Sequence, residues 1–139
     1  MLKKKISYTD YNGKEQNESF YFNMNEREVV LMLAKLGTDD IKAYTEKLVA
    51  DGDAAKMFAF VDQIILDSVG KKSEDGKRFI KTKAYRDEFE ESEAYNSLFM
   101  QFLSDPKLAQ SFASGIVAKA SDSPITGPTL KTIDNVPAN

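Results

Sequence analysis

The chain has 139 residues, a length for one domain, and its 42% hydrophobic and 29% charged residues are those of an ordinary soluble globular protein. It holds no cysteine, histidine or tryptophan, which excludes disulfides, the usual zinc sites, and Ser-His or Cys-His nucleophile pairs. A net charge of −3 argues against broad phosphate-backbone binding and leaves room only for a local basic patch.

Residues 2–24 read as a β-hairpin around Asn12-Gly13. Leu2, Ile6 and Tyr8 share one face of the first strand, and Phe20, Phe22 and Met24 share one face of the second. Both sets are even-numbered. A two-residue turn would pair every even residue with an odd one and throw the sets onto opposite faces. The pattern therefore predicts an odd-length loop, a three-residue connection with Gly13 left-handed in a bulge. An isolated hairpin is marginal in water, so its apolar face needs cover.

Helices follow. Asn25 with Glu28 is a capping box, Val29, Met32, Leu33 and Leu36 form the stripe behind it, and Gly37 stops the helix. Thr38 is expected to cap a second helix with Asp39 and Asp40 in its first turn and a stripe of Ile41, Tyr44, Leu48 and Val49. A third, the most apolar, starts near Asp53 and ends at Gly70; its stripe is Met57, Phe58, Val61, Ile64, Ile65 and Val69, with Phe60 off it. Residues 71–81, KKSEDGKRFIK, read as a polar, basic loop. Thr82 caps a short helix with Tyr85 and Phe89. Ser92 caps the next, with Tyr95, Leu98, Phe99, Phe102 and Leu103. Asp105-Pro106 opens a last helix with Leu108, Ala109, Phe112 and Ile116, in which Gly115 marks weakness or close packing. From Ser121 the composition turns Pro-rich and loses its aromatics, which predicts a flexible tail. The fold class expected is α+β: an N-terminal antiparallel hairpin (2–24), five to six helices (25–119), one domain over 1–120, and a tail over 121–139.

No stretch carries convincing chemistry. GKKS at 70–73 lacks the glycine five residues earlier and the preceding strand of a phosphate loop. The Asp-Gly pairs at 51–52 and 75–76 lack the alternating oxygen ligands of a calcium loop. The carboxylates of DEFEESE, 87–93, point several ways around a helix junction and read as a solvated face. No catalytic residue, metal ligand or cofactor is expected. A basic N-terminus without a following apolar run gives no secretory signal, and no run is long and apolar enough to span a bilayer. A binding role is the default. Most Met and Phe residues, among them Met32, Met57, Met100, Phe58, Phe99 and Phe102, are expected to fill the core. Tyr21, Phe60 and Phe79 lie off their elements' main apolar faces and are the candidates for partner contact. Lys77 and Arg78, with Lys71, Lys72 and Lys81, make a basic loop that suits a nucleic acid or a solvated turn; nucleic-acid binding is the weaker reading.

The order of ISYTDYNGKEQNESFYFNMNEREVVLM, DGKRFIKT and EAYNSLFMQFLSDPKLAQSFASGIV resembles small proteins encoded in the tail-gene modules of tailed bacteriophages and prophages of low-GC Gram-positive bacteria, the tail assembly chaperones. The likeness spans about residues 2–118. It implies a non-enzymatic protein of the host cytoplasm that binds the tape-measure protein while the tail forms, with other tail proteins and a homo-oligomer as further partners. It also implies that a longer frameshifted form could be appended at the C-terminal tail. The alternatives are a minor virion structural protein, or a small regulator that binds nucleic acid or a host protein through Lys71–Lys81.

Overall fold

The computed structural model describes residues 1–121. Ten elements follow one another: β1 (Leu2–Thr9), β2 (Glu15–Phe22), α1 (Glu26–Leu36), α2 (Ile41–Asp51), α3 (Ala54–Ser68), β3 (Val69–Lys72), β4 (Phe79–Ile80), α4 (Lys83–Glu90), α5 (Glu93–Ser104) and α6 (Pro106–Ser121). The architecture is α+β, a four-stranded antiparallel sheet of order β1-β2-β3-β4 packed against helices. Residues 122–139, where the tail was expected, lie outside the described residues.

The first hairpin has the expected parity. Leu2 pairs with Phe22, Ile6 with Glu18 and Tyr8 with Gln16, so even faces even. The loop is Tyr11-Asn12-Gly13. The Asp10 N–H donates to the Lys14 carbonyl (2.8 Å), the Gly13 N–H donates to the Asp10 carbonyl (2.9 Å), and Gly13 is left-handed at φ 79°. The Asp10 carboxylate accepts from the backbone N–H of Asn12 (2.8 Å) and Lys14 (2.9 Å), which holds the turn. Ile6, Phe22 and Met24 are buried on the continuous even face.

Residues 71–81 are not a loop. They complete a second hairpin, with Lys71 opposite Ile80 and Lys72 opposite Phe79, and β3 pairs with β2 through Tyr21–Gly70 and Phe22–Val69. The strands are only four and two residues long, too short for a period-2 pattern to register. Asp75-Gly76 is the turn. The Ser73 N–H donates to the Arg78 carbonyl (2.8 Å), and Asp75 accepts from the Ser73 hydroxyl (2.7 Å) and the Lys77 N–H (3.0 Å). α3 accordingly ends at Ser68, and Gly70 lies in the sheet rather than at a helix end. A Cβ on Gly70 would stand 2.5 Å from the Phe79 ring and 2.6 Å from the Ile80 carbonyl oxygen, so the second hairpin closes only over a residue without a side chain.

The helix caps fall where the sequence places them, with one shift. Asn25 and Glu28 form the reciprocal capping box of α1, and Asp53, Thr82 and Ser92 cap α3, α4 and α5. α2 is capped by Asp40, whose carboxylate accepts from the Ala43 N–H, and Thr38 instead donates to and accepts from Asp40.

Aromatic rings join the sheet to the helices. Phe22 meets Phe112 at 5.1 Å and Phe89 at 6.1 Å, and Phe102 meets Phe112 at 5.1 Å. Ile64, Ile65, Leu98 and Ile116 fill the space between. Gly115 marks close packing, since an added Cβ would lie 3.2 Å from Leu2. α3 is turned from its expected phase. Phe60 is buried against Tyr44 at 5.6 Å, and Phe58 is exposed. Val49 and Leu108, expected on core stripes, are also exposed, and Thr45 is buried with its hydroxyl donating to the Ile41 carbonyl (3.0 Å).

Candidate protein-binding surfaces

Two surfaces expose side chains at the margin of the core. The first lies where α2, α3, α5 and α6 meet. Leu48 and Val49, Met57 and Val61, Leu103, and Pro106 line a shallow apolar cleft there. Its free space is about 30 Å³, far below the hundreds of cubic ångströms of a small-molecule pocket. Beside it stand Phe58, 44% exposed and edge-on to Phe99 at 6.5 Å, and Met100, 53% exposed. Phe99 and Met100 lie four and three residues before Leu103, hence on adjoining faces of α5. These side chains form a ridge of large, adaptable apolar groups, suited to another apolar face and not to a metabolite. Asp62, one residue past Val61, has its carboxyl raised above the ordinary carboxylate range by burial.

The second surface is the outer face of the sheet. Tyr21 and Phe79, both half-buried, stand there on either side of Gly70, with Lys3 opposite Tyr21 and Lys72 opposite Phe79. The Phe79 ring covers the space that a Gly70 side chain would need. Two of the sequence candidates are thus brought together by a hairpin the sequence did not reveal. Lys77 and Arg78 are exposed at the β3–β4 turn, and the Arg78 N–H donates to the Ser73 hydroxyl (3.0 Å). Phe60 belongs to neither surface, because its ring is in the core; Phe58, two residues earlier, takes the exposed place. The expectation that Phe60 stands off the apolar face is corrected by its packing on Tyr44.

The remaining motifs have structural duties. Asp87 of the acidic run pairs with Lys83 at 2.7 Å, and Glu93 accepts from the Tyr11 hydroxyl at 2.9 Å. Asp75 is held below the ordinary carboxylate range, first by the Lys77 N–H and then by the Ser73 hydroxyl, as a turn anchor would be. Among the described residues no group of three or more Asp or Glu side chains could hold a metal ion, and no helix is long and apolar enough to cross a membrane.

A family model described as phage tail assembly chaperone matches residues 1–122, the whole of the fold above. No curated protein and no solved structure matches the chain.

Proposed function

We propose a function from one established premise: the chain belongs to the phage tail assembly chaperone family. The reading is that it binds the tape-measure protein in the cytoplasm of an infected or induced low-GC Gram-positive cell. It keeps the apolar helices of that protein covered while the tail tube polymerises, then departs without chemistry. The observation that carries this is the exposed apolar group of Phe58, Met100 and Val49 on the helices that form the α2–α3–α5–α6 cleft. A helical partner with an apolar stripe presents anchors every three to four residues, and a ridge rich in Met and Phe can repack around such a stripe. Tyr21, Phe79, Lys77 and Arg78 form a second, more polar contact surface for the same or another tail protein.

The test is co-expression with the tape-measure protein of the same genome, followed by purification of the complex. The wild-type chain co-purifies and keeps the partner soluble. Phe58→Glu with Met100→Glu leaves the circular dichroism spectrum unchanged and loses the partner. Mass spectrometry of purified virions beside an infected-cell lysate then finds the chain in the lysate and not in the particle. Stable copies in the particle would make it a structural component instead. Loss of self-association, with tape-measure binding intact, would make the ridge a subunit contact.

A further inference from the structure

Part of the β1 edge makes no hydrogen bond among the described residues. The Asp10 N–H points at β2, so along β1 the even residues turn their backbone groups toward β2 and the odd residues turn theirs away. The Ser97 hydroxyl donates to the Ser7 carbonyl at 3.2 Å, which fixes the same direction independently. α5 thereby occupies the edge at Ser7. Beyond it, no hydrogen bond among the described residues engages the outward N–H and C=O of Lys3 or Lys5, and both residues are exposed. Their side chains lie on the outer face, and Lys4 lies on the inner side with its ammonium 5.7 Å from the Phe102 ring centroid.

From this edge we infer that β1 accepts one extended strand of a partner protein at Lys3–Lys5, and that the strand carries acidic residues at alternate positions. The outward amides supply the ladder. Residues directly opposite across a ladder stand about 4.5–5.5 Å apart at Cβ, so the two partner side chains facing Lys3 and Lys5 are carboxylates. The residue between them falls on the inner side beside Lys4. A second copy of this chain is disfavoured, because edge-to-edge pairing would set these lysines against their own equivalents. The inference is separate from the apolar ridge, which lies on other elements.

Lysines on an edge also serve to repel unwanted strands. The experiment separates the two roles. The 15N-labelled full chain is titrated with a blocked peptide of alternating Glu and Val, and amide exchange is followed by NMR. The expected result is saturable binding with slowed exchange at Lys3 and Lys5. Lys3→Glu with Lys5→Glu abolishes it. Lys5→Pro binds about 2- to 10-fold more weakly than Lys5→Gln, since both lose the charge but only proline loses the outward donor, while the hairpin persists because that N–H does not face β2. Binding that survives the double charge reversal, or that leaves the Lys3 and Lys5 amides unprotected, overturns the inference. So does no binding together with new self-association of the double variant, which would leave the lysines as guards only. A single-stranded oligonucleotide that protects the same amides, where the peptide does not, would overturn it in favour of a nucleic-acid surface.

Discussion

The Lys81 ammonium meets the Glu28 carboxylate at 2.8 Å, and that carboxylate also closes the capping box of α1 by accepting from the Asn25 N–H at 3.0 Å. Lys81 donates further to the carbonyls of Asn23 and Asp67, both at 3.0 Å. One amine thus ties the end of the first hairpin, the start of α1, the end of α3 and the exit of the second hairpin. The pair is mostly shielded from solvent, so removing one partner costs more than it would at a surface ion pair. Lys81→Met is expected to cost about 2–3 kcal/mol in urea unfolding, because it strands a carboxylate and two carbonyls. Glu28→Gln keeps the cap and should cost less.

Gly70→Ala is expected to destabilise by about 1–3 kcal/mol, an overpacking cost. Phe79→Leu in the same chain should not restore the loss, since the Ile80 carbonyl oxygen still stands 2.6 Å from the new methyl and belongs to the backbone. Thermal unfolding of the single and double variants checks this. Rescue by the leucine would mean that the ring alone sets the constraint.

Phe58 and Phe60 should separate cleanly. Phe60→Ala removes a buried ring and is expected to cost about 3–5 kcal/mol. Phe58→Ala removes a half-exposed one and should cost under about 1 kcal/mol, and on the function proposed above it weakens co-purification of the tape-measure protein. Equal stability losses would put the phase of α3 in error.

Acid should loosen the first hairpin. The Asp10 carboxyl is held below its ordinary range, first by the Gln16 side chain and then by the Lys14 N–H. Its folded pKa lies below the unfolded value of about 3.9, so its contribution is present above that pH and is lost as pH falls through the folded value. Protection of the Lys14 and Gln16 amides, relative to their intrinsic exchange at each pH, should therefore fall below about pH 4, and Asp10→Asn should flatten that dependence.

Base should act through Tyr8. Its hydroxyl donates to Glu18, chiefly through which the phenol is pushed up to about 12. The raised value means that the contribution is full below pH 10 and is lost as pH rises through about 12. An ultraviolet titration should show a late-ionising tyrosine that Tyr8→Phe removes. If all tyrosines ionise together, the bond is not held in solution.

The hairpin register was legible because a period of two leaves no freedom: two even-numbered apolar sets admit only an odd loop. Most caps were legible because their chemistry is local. The second hairpin was not, since Phe79-Ile80 is a strand only when β3 lies beside it, and β3 is a strand only beside Phe22. The phase of α3 was equally hidden. Met57, Phe58, Phe60, Val61, Ile64 and Ile65 make a broad apolar face with Phe58 and Phe60 at its two margins, and the choice between them is made by Tyr44 from another helix. Tyr21 and Phe79 could be singled out from sequence, but their meeting across Gly70 could not.

The rings that cover Phe22 are Phe89 and Phe112, and both are translated long after it. At roughly 5–20 residues per second, the ribosome needs about 5–20 s to pass from residue 22 to residue 112. Until residue 89 is made, neither of the rings that cover Phe22 exists. A message cut before α4 would therefore release a hairpin whose aromatic face neither ring ever covers.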